Sequence, residues 1–302
     1  GIGAFYARRL LKIGPPLLLL VVLPTLVYAL VEPVSWKAVL SQVGFTYNWV
    51  EILDPQTSRQ VLPGTEVVWS LAIEEQFYIG FALLWLLLLR VRRWRAVLTV
   101  LTVATVAGSF AARLLLTLGQ PASFELWEEG RYLHLWRGTD TRVEAIAIGI
   151  LVALAFDAHA RGGLPWLARL RSTATPVAAA LLFLGASVVF RGNWTEGTLR
   201  PTAQAWSAAL VIAYGLLPAR SRTQQTFHRL AALAPVQSVG RASYSIYLVH
   251  APVIYALSLM LGWLPDPLQL LANVTAGTAV GLLAYRLIEV PALRLRHRLR
   301  IG

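Results

Sequence analysis

Three stretches of this 302-residue chain set ionisable side chains among apolar ones. In WSLAIEEQFY, residues 69–78, Glu74 and Glu75 are adjacent carboxylates. On a helix, Ser70, Glu74, Phe77 and Tyr78 share one face by their i, i+4, i+7 and i+8 spacing, and Glu75 points about 100° away. A glutamate so placed is a general acid/base, a group that orients a histidine, or half of a structural ion pair. In SYSIYLVHAPV, residues 243–253, Ser243, Tyr247 and His250 share a face at i, i+4 and i+7. His250 is then either a functional group at membrane depth or a packed histidine bonded to a neighbouring helix. Pro252 is expected to break the helix ladder just beyond it. In TDTRVEAIAIG, residues 139–149, Asp140, Arg142 and Glu144 cluster at a helix start. That pattern is either a salt-bridge knot at a helix mouth or a site for a polar or anionic substrate.

A fourth stretch, FYARRLLKIGPP, carries Arg8, Arg9 and Lys12. These set topology and touch lipid head groups, or they bind a phosphorylated cytoplasmic ligand, which arginine suits by its bidentate fork. Gly14, Pro15 and Pro16 are expected to loosen the helix start there. The other histidines, His134, His159, His228 and His297, are expected in loops or the tail, without a role. No metal-ligand spacing, Walker loop, dinucleotide fingerprint or nucleophile elbow occurs, so no metal is expected. The absence of cysteine excludes disulfides and thiolate chemistry.

The elements that must hold these residues are membrane helices. The chain is 57% hydrophobic and only 14% charged, against about 25% charged in soluble domains. A polar surface cannot be assembled from that, so lipid is the solvent. Spans need about 20 apolar residues, and eight segments qualify: 13–31, 66–89, 96–117, 140–157, 174–190, 203–219, 241–262 and 268–287. The expected fold is an all-α polytopic transmembrane bundle forming a single domain over residues 1–302. Segment 36–49 is too short and polar to span and is read as an outer interfacial or re-entrant piece. Putting Arg8, Arg9 and Lys12 in the cytoplasm then keeps Arg90 to Arg95, the loops at 158–173 and 220–240, and the tail with Arg294, Arg296, Arg298 and Arg300 on the same side, as the positive-inside rule requires. Both ends are therefore expected in the cytoplasm of an inner (plasma) membrane protein. The net charge of +12 comes from these short loop runs rather than from one basic face, which argues against a nucleic-acid partner.

Together the four stretches resemble the acyltransferase-3 family of integral membrane O-acyltransferases. FYARRLLKIGPP is similar to that family's basic entry to its third helix, and WSLAIEEQFY to its most recognisable motif. TDTRVEAIAIG is similar to its Arg-x-Asp/Glu helix start. SYSIYLVHAPV resembles its late Tyr-x-Leu-x-His-x-Pro stretch, and RLIEVP, residues 286–291, its closing Glu-x-Pro. The order and spacing fit along essentially the whole chain. The family usually has about ten spans, with a histidine in the first as candidate base. This chain starts at Gly1, where the family's third helix starts, and Lys12 stands where an arginine is usual. It is expected to be N-terminally incomplete, and these residues alone are expected not to turn over.

What the resemblance implies is transfer of an acyl group, most often acetyl, from cytoplasmic acyl-CoA to a hydroxyl of a glycan or another exported acceptor. No cofactor is expected to be tightly bound, since acyl-CoA is a substrate; the other partner is the bilayer itself. Arg8, Arg9 and Lys12 would handle the donor. Glu74, Arg142 and His250 would be catalytic, with Glu75, Tyr78, Glu144, Ser243, Tyr247 and Glu289 as second choices. The alternatives are a polytopic transporter or flippase of a polar or lipid-linked substrate, and a catalytically inactive remnant.

Overall fold

The computed structural model describes residues 2–121 and 123–298; Gly1 and Arg300 lie outside them. Among the described residues all regular structure is helical, and each of the eight expected segments coincides with a helix. Six helices are long and apolar enough to cross a bilayer: Gly3–Tyr28, Thr65–Leu88, Trp94–Thr117, Thr139–Ala160, Ser243–Leu261 and Asp266–Leu295. A seventh span results if Pro165–Arg171 and Ala174–Val189, bent by 79°, are counted as one. The remaining segment, expected at 203–219, is the helix Asn193–Leu216. It begins well before residue 203, in a polar turn that carries Glu196 and Arg200. Large side chains such as Leu87, Leu181 and Val188 lie on the outside. Exposed leucine and valine on long helices with internally satisfied backbones fit lipid as the surrounding solvent. The chain is a multi-pass membrane protein.

The described chain divides into two compact units, Gly1–Glu75 with Leu233–Gly302, and Gln76–Ala232. The first has a core of Ile13, Leu17, Val21, Ala38, Val39, Tyr47, Val68 and Leu248. Segment 36–49 forms two short helices, Trp36–Val43 and Tyr47–Leu53. Ser35 caps the first by accepting from the Ala38 amide, and Tyr47 donates to the Ser58 carbonyl at 2.8 Å. These bonds fold the segment back so that Ala38, Val39 and Tyr47 enter the core.

Proline shapes this unit differently from the expectation. Pro15 and Pro16 lie inside an unbroken helix, Ile2–Leu17, and the ladder yields further on, in a π turn at Leu18–Val22 where the Leu23 amide reaches the Leu18 carbonyl. A second π turn, Tyr285–Glu289, ends with the Val290 amide on the Tyr285 carbonyl. A proline stands two positions past the end of each, Pro24 or Pro291, where the ring and the missing N–H disfavour a regular α-helical bond. Pro252 likewise does not break its helix, which runs unbroken through Ser243–Leu261. Instead Gly64, at φ 90°, packs its backbone on it, and a Cβ there would sit 2.3 Å from the Pro252 nitrogen. Helix Ser243–Leu261 also meets Asp266–Ala284 closely. A Cβ on Gly281 would overlap Ile246, and Gly277 faces His250, a Gly-x-x-x-Gly contact that suits helices in lipid.

In the second unit the Glu144–Ala160 helix packs on Trp94–Thr117 and Asn193–Leu216, and the last of these packs on Ala174–Val189. The Ser207 hydroxyl donates to the Ala179 carbonyl at 2.7 Å. At the arginine-rich end, Arg95 and Arg161 both hold Asp157, at 2.8 and 2.7 Å.

Candidate functional site

Of the expected site residues, Arg9, Lys12, Glu74, Ser243 and Tyr247 line a cavity in the first unit, and Arg142 and Glu144 line one in the second. The first, about 410 Å³, is lined by Arg9, Lys12, Ser70, Glu74, Ser243 and Tyr247, among others. The first helix starts at Ile2 rather than near residue 13, so Arg8, Arg9 and Lys12 lie within it instead of at its mouth. An arginine is tolerated there because it is matched. The Arg9 guanidinium donates through Nε to both oxygens of Glu75, at 2.7 and 2.9 Å, and through Nη2 to Glu74 at 3.1 Å. The two glutamates are not equivalent. The Glu75 side chain is 8% exposed and that of Glu74 is 49% exposed, so one carboxylate anchors the arginine while the other faces the cavity.

Tyr247 closes another wall. Its hydroxyl donates to the Val67 carbonyl. Having one hydrogen, it must accept from the Ser70 hydroxyl, 2.6 Å away. Tyr244, also lining the cavity, donates to the Ile13 carbonyl at 3.0 Å. His250 lies one turn beyond Tyr247, with ring centroids 5.5 Å apart, and is not among the cavity-lining residues. Its Nδ1 is 2.6 Å from the Tyr247 carbonyl. A carbonyl only accepts, so Nδ1 carries the hydrogen and the neutral ring keeps its lone pair on Nε2. Glu289, buried at the end of the second π turn, accepts from Ser245 at 2.8 Å. Arg8 sits half-buried on the same helix as Arg9.

The second cavity, about 550 Å³, holds Arg142 and Glu144 together with Arg113, Trp136, Glu196 and Arg200. Asp140, Arg142 and Glu144 also meet residues outside their motif. Steps of two residues near a helix start turn successive side chains about 200° apart, toward different neighbours. Asp140 pairs with His134 at 3.0 Å, Glu144 pairs with Arg113, and Arg142 lies 5.8 Å over the Trp136 ring. Arg113 is the functional candidate that sequence reasoning missed. It is 1% exposed and donates to Glu144, to the Thr141 carbonyl and to Thr202. The signal was present: a lone arginine in the apolar run of 96–117 has to be paired. Glu196 and Arg200, an i,i+4 pair at 2.7 Å, were hidden in a segment whose start was placed too late.

Tyr78 lies in the second unit, on the Val68–Leu88 helix, edge-on to Phe77 at 5.5 Å between centroids. The histidines outside the motifs are on helices rather than in loops: His134 in Glu129–Arg137, His159 in the last turn of Glu144–Ala160 and His228 in Arg222–Ala231. The short amphipathic patterns around His134 and His228 are enough for two or three turns once packed, and His159 ends a long apolar helix. Among the described residues no group of three or more His, Cys, Asp or Glu side chains is arranged to hold a metal.

A family model described as an acyltransferase domain matches residues 1–286. The O-acetyltransferase OatA of Staphylococcus aureus strain NCTC 8325 / PS 47 is 22% identical over 306 residues, covering 95% of this chain and 47% of OatA. OatA of strain COL matches to the same extent. The chain spans about half the length of these curated relatives. No solved structure matches it significantly.

Proposed function

The chain belongs to the acyltransferase-3 family, and on that premise we propose that it is a membrane O-acyltransferase moving an acyl group, acetyl first, from cytoplasmic acyl-CoA to a hydroxyl of a glycan or other exported acceptor. The observation that carries this reading is the cavity of the first unit, where Arg9 holds both Glu74 and Glu75 beside Lys12. Acyl transfer to a hydroxyl needs a base for the attacking oxygen and a cation or donor for the developing oxyanion. Glu74 is the base. It faces the cavity, and Arg9 fixes its orientation. Lys12, exposed to the same cavity, meets the thioester oxyanion, and Arg8 contributes charge toward the donor phosphates. The acceptor oxygen attacks the thioester carbon, its proton passes to Glu74, the C–S bond breaks, and the proton leaves with the CoA thiol. Ser70 and Tyr247 keep the helices that carry Glu74 and His250 in register. His250, with its lone pair on Nε2, is the second candidate base.

The protein is proposed to lie in the plasma membrane with both ends cytoplasmic. Because the chain has no cysteine, a single engineered one reports its side of the membrane. Arg92→Cys should react only with reagent on the cytoplasmic side; labelling from outside inverts the topology. The activity is tested with labelled acetyl-CoA and an oligosaccharide acceptor on the full-length protein reconstituted in vesicles. Glu74→Gln should lower turnover by about 10² to 10⁴, with a smaller loss for His250→Ala. Full activity in both variants removes the site assignment. Movement of substrate across the vesicle without any acyl donor replaces it with transport.

A further inference from the structure

A small apolar groove in the second unit has no place in the chemistry above, yet an aromatic strip joins it to a turn rich in arginine. We propose that the groove holds one acyl chain of an anionic phospholipid, whose headgroup phosphate sits on Arg90, Arg92 and Arg93. This stands apart from the acyl-transfer reading.

The lining calls for hydrocarbon. The groove, about 200 Å³, lies between the helices Val68–Leu88, Trp94–Thr117 and Glu144–Ala160, and its lining residues all belong to the second unit. Among the described residues no charged side chain lines it. Its two threonines, Thr102 and Thr105, donate their hydroxyls to the Leu98 and Leu101 carbonyls at 2.7 and 2.9 Å, so neither asks a ligand for an acceptor. Gly80 keeps one wall open, since a Cβ there would meet nothing within 4 Å. From Phe77 to Leu84 the groove follows about 10 Å of helix at 1.5 Å per residue, along the direction that lipid chains take.

Charge selects the headgroup. Phe77, Phe81 and Trp85 stack at i, i+4 and i+8, with centroids 5.4 and 6.2 Å apart. Trp94 meets Trp85 edge-on at 5.1 Å, and the Arg95 guanidinium lies 4.4 Å over the Trp94 ring. The strip thus runs from the groove to the turn at 89–93, and tryptophan at its end marks the depth of the headgroups. On that turn Arg90, Arg92 and Arg93 are exposed and no carboxylate occurs, while Asp157 is engaged by Arg95 and Arg161. Guanidinium forks match phosphate oxygens, and basic clusters at a membrane surface attract anionic lipid. A zwitterionic lipid would bring a second cation onto the same arginines. A second copy of the chain seated in the groove by two-fold symmetry would set two arginine turns against each other at one bilayer surface.

The test reads binding, not turnover. The full-length protein in mild detergent is titrated with dioleoyl phosphatidylglycerol, dioleoyl phosphatidylcholine or glycerol phosphate, and the first bound molecule is followed by native mass spectrometry. Phosphatidylglycerol should bind at least about tenfold more tightly than phosphatidylcholine, and Arg92→Gln and Arg93→Gln should each weaken it about fivefold. Gly80→Leu fills the groove and should weaken both lipids about tenfold, with an unchanged melting temperature. Arg191→Gln, beyond the Ala174–Val189 helix, should leave binding unchanged. The proposal is overturned if the parent binds both lipids equally, or if the two arginine variants bind phosphatidylglycerol as the parent does. It is also overturned if glycerol phosphate alone binds as tightly as the lipid, or if Gly80→Leu keeps full lipid affinity, since the groove would then be unused. A dimer that Gly80→Leu dissociates would give the groove to a second copy instead.

Discussion

In the first unit one arginine serves two adjacent carboxylates; in the second, one arginine serves a single carboxylate from a neighbouring helix. Arg9 is partly buried and Glu74 remains half exposed, whereas Arg113 and Glu144 are almost wholly out of solvent, at 1% and 3% side-chain exposure. The contrast separates two uses of the same ion pair. A carboxylate that is oriented by an arginine and still reaches a cavity can exchange protons with a substrate. A pair sealed between helices, with both partners almost wholly out of solvent, fixes the wall around it. Because buried pairs are costly to form and costlier to break, the second is the mechanical anchor of its unit.

That contrast can be broken most directly at Glu74, where Glu74→Gln should cut transfer by about 10² to 10⁴ while leaving the melting temperature in micelles almost unchanged. A large stability loss instead would make the first pair an anchor too. Arg113→Ala should do the reverse, lowering stability by about 3–5 kcal/mol, visible as loss of folded protein on size-exclusion chromatography. Arg113→Met with Glu144→Leu should recover most of that stability, since no uncompensated charge remains. If the double variant is as unstable as the single one, the pair is more than an anchor. Gly64→Ala sharpens the first unit's side of the comparison. A left-handed residue that also abuts the Pro252 backbone should cost about 1–3 kcal/mol, measured by thermal denaturation.

The smallest effect belongs to an ion pair with no cavity. Lys37 and the Thr57 hydroxyl and amide hold the Asp54 carboxyl down at about 2. Because its folded value lies below its ordinary one, about 3.9, the stabilisation is present above that value and lost as pH falls from about 4 toward 2. Asp54→Asn should flatten the stability profile in that window only. A change near neutral pH would mean that another group titrates there.

The helical class, the positions of the eight segments and the ionisable residues within them were legible because apolar length and 3.6-residue periodicity are local properties. The same locality explains the misreadings. Glu74 and Glu75 could be seen on different faces, but not that one guanidinium joins them. Arg142 was grouped with its sequence neighbours, yet Asp140 and Glu144 turn to His134 and Arg113. Pro15 and Pro16 were expected to loosen a helix start and Pro252 to break a ladder, and all three lie inside unbroken helices instead.

The sequence by itself determined that this chain lives in lipid, which motifs carry charge into it and which family those motifs match. The tertiary structure decided which charges meet: Arg9 with Glu75 across 66 positions and Arg113 with Glu144 across 31. The physical reason is that a charge in an apolar helix must find a partner, a requirement set by the helix's own composition, whereas the identity of the partner is set by how helices pack, which is a property of the whole fold.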